Sequence, residues 1–249
     1  MITIQDAQDI VMRRRMMNPG EDMFKAILLY MWAHANIAYR EPNGSEDLFK
    51  NAKGFFFHNT ALDFCYLVQY SDHGVLSFRG TDTEDKINIA LIKRWIRNIN
   101  VRPLVVDGGT IHRGFYEAWK SLKTSVRKMV EKVDTRLFIT GHSLGADLAY
   151  LAARDLVKNC KVDHDIVICM PFAPAGLFTK KGMDEYDSLD IKTTYVINGY
   201  DIIESVPVSL VRPGLMSWLY QNPLHKIVSR IRDHLPRNYT KAINYTVGG

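Results

Sequence analysis

The chain has 249 residues, 47% of them hydrophobic and 24% charged, with 32 Lys and Arg against 27 Asp and Glu for a formal charge of +5. A chain of this length buries a real core with no need of disulfides or a structural metal. Its three cysteines, Cys65, Cys160 and Cys169, are an odd count without C-x-x-C spacing, which is compatible with a reducing compartment and speaks against a metal site; no cofactor is expected. The modest positive balance favours anionic surfaces, while the lack of a basic helix with base-reading spacing sets nucleic acid aside as a partner.

Residues 1–15 mix Asp6 and Asp9 with Arg13, Arg14 and Arg15 and do not supply the unbroken apolar stretch and cleavage site of a secretory signal. The expectation is a cytoplasmic protein, or a secreted one whose leader is absent from this sequence. No stretch approaches the roughly 18 consecutive apolar residues of a membrane span.

Residues 23–40 predict a helix, with Phe24, Ile27, Leu28, Met31, Ala35 and Ala38 at helical spacing and a stop at Pro42-Asn43-Gly44. Two strands, 62–70 and 75–78, flank Ser71-Asp72-His73-Gly74, which has hairpin chemistry. A mixed amphipathic stretch (84–98), a short strand near 101–106 and a helix over 115–133 follow. Leu137-Phe138-Ile139-Thr140 predicts a strand and the alanine-rich stretch 146–158 a helix, while 166–170 and 193–197 read as buried strands. Asp184, Asp187 and Asp190 read as solvated residues of a polar loop. A hairpin followed by strand-helix alternation implies one α/β domain over 1–249, with a mostly parallel central sheet, an antiparallel edge and helices on both faces. Ligands of such sheets sit at the carboxyl ends of the strands.

At that end, between a strand and a helix, stands Gly141-His142-Ser143-Leu144-Gly145, a G-x-S-x-G pentapeptide. A strand-to-helix turn this tight exposes the serine Oγ, and glycine lets the neighbouring backbone pass, so Ser143 is a candidate nucleophile. A serine hydroxyl needs a base, and the base needs a carboxylate to fix its tautomer. With the order Ser, acid, His, three histidines follow the serine, His164, His225 and His234, and only the last two lie beyond Asp201. Asp201 follows a predicted strand and the turn Asn198-Gly199-Tyr200; Glu204, three residues on, could replace it. His234, at a break between helical stretches, is favoured over His225, which lies in an amphipathic run.

Five ordered motifs, Phe78-Arg79-Gly80-Thr81, Ile111-His112-Arg113-Gly114-Phe115, Gly141 to Ala146, Val196 to Ile203 and Asp233-His234, resemble the class 3 lipases, the fungal triacylglycerol lipase type of α/β-hydrolase. The resemblance implies Ser143, Asp201 and His234 as the triad, with Tyr239 beyond the histidine. It further implies an oxyanion hole from Thr81 and the Leu144 amide, and a lid at about 82–100. Two positions depart from the family pattern. Glu204 stands where relatives often carry proline, and Asp147 puts a charge at a normally buried helix start, where the helix dipole would favour it.

The interval 82–100 sets Ile87, Leu91, Trp95 and Ile99 at a helical repeat among Lys86, Lys93, Arg94 and Arg97, and 210–231 repeats the pattern. Basic amphipathic segments with tryptophan suit peripheral contact with an anionic lipid surface, and a surface helix packed on the domain is the plain alternative. The expected function is a serine ester hydrolase, lipase or esterase, on lipid-like esters. The alternative is a catalytically silent lipase-like module that binds a membrane or protein partner, and the elbow also serves peptidases and thioesterases.

Overall fold

The computed structural model describes residues 21–39, 49–59, 64–80, 103–106, 109–198, 240 and 243. Helix α1 (Glu21–Ile37) opens the described chain, followed by strands β1 (Gly54–Asn59), β2 (Phe64–Gln69) and β3 (His73–Phe78). A short hairpin, β4 (Pro103–Val106) and β5 (Gly109–His112), leads into helix α2 (Arg113–Val130). Then come β6 (Arg136–His142), helix α3 (Leu144–Lys158), β7 (Val167–Phe172), helix α4 (Lys180–Asp187) and β8 (Lys192–Thr193).

Six strands form one sheet in the order β1-β2-β3-β6-β7-β8. The β1–β2 and β2–β3 pairs are antiparallel, and β3–β6, β6–β7 and β7–β8 are parallel. This is the expected architecture, a parallel centre with an antiparallel edge. Alternation along β6 divides the core. Leu137 and Ile139 join Leu67, Leu76 and Cys169 under α2 and α3, against Trp119, Leu122 and Val126. Phe138 faces the other way with Tyr66, Val68, Val75 and Phe172, under α1. Helices thus cover both faces. Residues 28–33 of α1 are all buried, a helix apolar nearly all round, whereas Phe24 of its expected apolar face is exposed.

Two expectations need correction. The polar loop around Asp184 and Asp187 is helix α4; the three aspartates are exposed as expected, but Tyr186 is buried and anchors the helix. Thr179 caps it, accepting from the Gly182 N–H, and a Cβ on Gly182 would fall on the Thr110 carbonyl, so α4 sits directly on β5. The predicted strand 193–197 pairs only through Lys192 and Thr193, with one further bridge from Val196 to Phe172. Strands β1 and β5 were absent from the sequence reading.

Between α2 and α3, Arg127 donates to both Asp155 oxygens at 2.8 and 2.9 Å, with Lys123 at 3.3 Å and Asn159 at 2.9 Å. Arg154 ties α3 to α4 through Glu185 at 2.7 Å and to β4 through the Val106 carbonyl at 2.9 Å.

Candidate active site

Ser143 is where β6 becomes α3. It takes φ 58° and ψ −126°, a conformation costly for a residue with a Cβ, at the N-cap position of the helix, where its side chain makes no capping hydrogen bond. The flanking glycines explain how the turn closes. A Cβ on Gly141 would fall on the Gly145 carbonyl, and one on Gly145 on the Phe78 carbonyl, so the helix start rests against the end of β3. The Ser143 N–H donates to the Phe172 carbonyl at 3.0 Å, binding the elbow to the end of β7. Leu144 begins α3, among the leading N–H groups of a helix that have no intrahelical acceptor, which suits an anion at this spot.

Beneath the elbow, the buried His142 ring shares a 2.8 Å hydrogen bond between its Nδ1 and the Tyr39 hydroxyl and meets Trp32 edge-on at 5.6 Å. A Cβ on Gly80 would fall on both the Tyr39 hydroxyl and the His142 carbonyl. Tyr39 is therefore wedged between the elbow and the strand end that precedes Thr81. Trp32 also donates from Nε1 to Thr240 Oγ1 at 3.0 Å, and Ile243 is buried in the α1 core, so this part of the C-terminal chain, a few residues past His234, returns to the elbow. On the other flank Ala173 N–H donates to the Val196 carbonyl at 2.8 Å and Val196 N–H to the Pro171 carbonyl at 2.9 Å, five residues before Asp201.

Asp147, one turn into α3, is fully buried, with both oxygens 3.2 Å from the Ala175 N–H. Burial raises its pKa well above the ordinary carboxylate range, against the pull of the Ala175 and Leu177 amides. Desolvation, which disfavours the charged form, thus opposes the helix dipole expected to favour a charge here. Tyr39 carries no sequence signal of its place here, whereas Asp147 is marked by its position as an acid in the otherwise apolar first turn of α3.

Of the predicted site residues, Ser143 and Leu144 stand together at the elbow. Thr81, Asp201, Glu204, His225 and His234 lie outside the described residues, as do the segments 82–100 and 210–231. Among the described residues one group could hold a cation, Asp163, His164 and Asp165, an exposed or half-exposed turn at the opposite end of β7 from the elbow. No helix among the described residues is long and apolar enough to cross a membrane.

The chain is similar to a secreted mono- and diacylglycerol lipase of Malassezia restricta, 30% identical over 143 residues that cover 53% of this chain and 46% of the relative. It is also similar to secreted mono- and diacylglycerol lipase A of Penicillium cyclopium, 31% identical over 90 residues, 33% of this chain and 27% of that one. The matches thus span less than half the length of either relative. Among solved structures, the Rhizomucor miehei lipase propeptide complex superposes with a TM-score of 0.63 at 18% identity, over 81% of this chain and 67% of that one. Lipase II of Rhizopus niveus gives 0.61 at 18% identity, over 80% and 77%. At such identity these likenesses speak for the fold, the α/β-hydrolase fold. The sequence model of the class 3 lipases matches residues 75–211, more than half of the chain and from β3 through the elbow to beyond Asp201, and the chain belongs to that family.

Proposed function

We propose that this protein is a serine ester hydrolase that cleaves carboxylic esters of acylglycerols or similar lipid-like substrates through an acyl-enzyme. The observation that carries the reading is the strained, glycine-flanked Ser143 at the carboxyl end of the central strand, on the N-terminus of α3. In the proposed reaction Ser143 Oγ attacks the ester carbonyl while His234 takes its proton and Asp201 holds the imidazolium. The Leu144 amide and Thr81 hold the oxyanion. Collapse expels the alcohol, protonated by His234; water then attacks the acyl-enzyme and releases the acid. The backbone bonds that tie 196 to the end of β7, and the Trp32 bond to Thr240, support this assignment, because they bring the chains leading to Asp201 and following His234 toward one rim.

The proposal includes one domain over 1–249, a lid at about 82–100, and peripheral contact of that segment and 210–231 with anionic lipid. The names of the similar lipases point the substrate to mono- and diacylglycerols. For location both alternatives of the sequence reading stand, cytoplasm or export, and fractionation of the native host separates them.

The test is hydrolysis of p-nitrophenyl esters of graded chain length by wild type and Ser143→Ala. Activity in wild type and its loss in Ser143→Ala is expected; equal activity, or none in either, favours the catalytically silent binding module. In the same assay Asp201→Ala is expected to lose several orders of magnitude of rate and Glu204→Ala little; the reverse moves the triad acid to Glu204.

A further inference from the structure

Two strand ends lead to the proposed chemistry. β3 ends at Phe78 and is followed by Arg79, Gly80 and Thr81, while β6 ends at His142, beside Ser143. The two strands pair in parallel, and their ladder closes with Phe78 opposite Gly141. Past that pair a different contact relates the two chains. The Tyr39 hydroxyl shares a 2.8 Å hydrogen bond with His142 Nδ1 and stands 3.5 Å from the His142 carbonyl. The same oxygen lies against the buried Gly80, where a Cβ would strike both it and that carbonyl. One hydroxyl thus touches the residue before Ser143 and the residue before Thr81.

Tyr39 is itself held in place. Its N–H donates to the Asn36 carbonyl at 3.2 Å, which turns it off the end of α1. The last turn of that helix is bonded to the sheet, because the His34 carbonyl accepts from the Tyr66 hydroxyl of β2 at 2.9 Å and from the Ser77 hydroxyl of β3 at 3.0 Å. The Tyr66 hydroxyl also meets His34 Nδ1 at 2.9 Å. Ala35, Ile37 and Ala38 around this turn are buried, and Trp32 of the same helix meets the His142 imidazole edge-on at 5.6 Å. A hydroxyl anchored this way is preorganised, and an oxyanion site depends on preorganisation, since a displacement of about 1 Å costs on the order of 100-fold in rate.

We propose that Tyr39 is a positioning residue for ester hydrolysis: its hydroxyl sets the spacing between the nucleophile elbow and the strand end that leads to Thr81, so that the Ser143 oxygen and the oxyanion donors converge on one carbonyl. The inference rests on the hydrolase reading above. Tyr39 acts through His142 and Gly80 rather than on the substrate. The ester binds through its acyl and alcohol groups, whereas the oxyanion exists only in the tetrahedral state. Loss of the spacing therefore lowers kcat and leaves KM in place.

Tyr39→Phe removes the oxygen alone. Rates are expressed per Ser143 titrated to completion with a p-nitrophenyl phosphonate, so misfolded protein does not count. With p-nitrophenyl butyrate, kcat is expected to fall at least about tenfold while KM stays within about threefold of wild type. Butaneboronic acid, which binds a serine as a tetrahedral adduct, should lose affinity in proportion to kcat/KM, and butyrate, the product, should not. His142→Asn keeps a polar atom near the place of Nδ1 and should retain more rate than His142→Leu. Combining Tyr39→Phe with His142→Leu should cost no more than the worse single change, because both remove one bond. A kcat within about twofold of wild type in Tyr39→Phe, a loss confined to KM, or boronate affinity unchanged while kcat falls overturns the proposal. If wild type hydrolyses no ester, the hydrolase reading has failed and takes this one with it; an active wild type with an equally active Tyr39→Phe sinks the positioning role alone.

Discussion

Asp147→Asn separates a neutral buried acid from an ionised one. The folded carboxyl is pushed up by burial, whereas in the unfolded chain it titrates near 3.9. Between those two values the native state holds a proton that the unfolded chain has released, so stability falls as pH rises, by about 1.4 kcal/mol per unit. The contribution is fully present below the unfolded value and is lost up to the folded one. Asparagine keeps an oxygen for the Ala175 N–H and has no proton to lose. Its second amide N–H, if left without an acceptor, costs about 1–3 kcal/mol, so the variant starts at or below wild type near pH 4.5. Other titrating groups, including the neighbouring Tyr150, are common to both proteins and cancel in the difference. The variant should therefore gain on wild type as pH rises, then hold a constant lead once the folded value is passed. For a chain of this size 1 kcal/mol moves Tm by about 2–4 °C, so the gap widens by roughly 3–6 °C per pH unit. Thermal melts by circular dichroism from pH 4.5 to 8 read it. A gap independent of pH, or one moving toward wild type with rising pH, refutes the neutral acid.

Gly145→Ala puts a methyl group on the Phe78 carbonyl, and relief requires α3 to withdraw from β3, carrying Ser143 with it. A shift near 1 Å costs about 100-fold in rate, so ester hydrolysis should fall by that order in a protein whose circular dichroism remains folded. Asp155→Ala leaves Arg127 and Lys123 without their shared carboxylate; charge-assisted bonds of this kind contribute about 1.5–3 kcal/mol, read from urea melts at pH 7. Burial would raise the Asp155 pKa, but the hydrogen bonds of Arg127 and Asn159 and the Lys123 charge outweigh it and the net shift is downward. Its stabilisation is therefore present above about 3.9 and lost as pH falls through the folded value, so wild type and variant should converge in acid melts. Lipid contact by the two basic segments should appear as sedimentation with phosphatidylserine vesicles that weakens between about 0.05 and 0.5 M salt; retention at high salt argues against an electrostatic anchor.

The parts of the fold that were legible in sequence are those whose side chains alone specify them. The hairpin of β2 and β3 carries its turn residues between two apolar runs, and β6 and α3 are a strand run and an alanine-rich helix joined by the pentapeptide. Strand β1 has no such pattern: Phe55, Phe56 and Phe57 are consecutive, without alternation, and all three are exposed at the sheet edge. Helix α4 has six polar, charged or glycine residues among its eight and draws its stability from the Thr179 cap, the seat of Gly182 on Thr110 and the buried Tyr186. Those are tertiary causes that no window of sequence contains.

The same distinction runs through the site. The elbow could be read because each glycine is demanded by a backbone atom a short distance away, a demand that fixes residue type. Tyr39 could not, since its function is to fill the space between Gly80 and His142, segments that meet only after β3 and β6 have paired. Asp147 shows how a correct anomaly can be given the wrong cause. A carboxylate on the first turn of a helix gains about 0.3–1 kcal/mol from the dipole, and at most about 2 kcal/mol when partly buried. Removing an ionised carboxylate from water costs several kcal/mol even after relaxation. With no solvent contact at Asp147 the second magnitude decides, and the dipole argument, sound for an exposed residue, points the wrong way here. Burial, which the sequence pattern around Asp147 already implied through Leu148, Ala149, Leu151 and Ala152, is the cause that pushes its pKa upward.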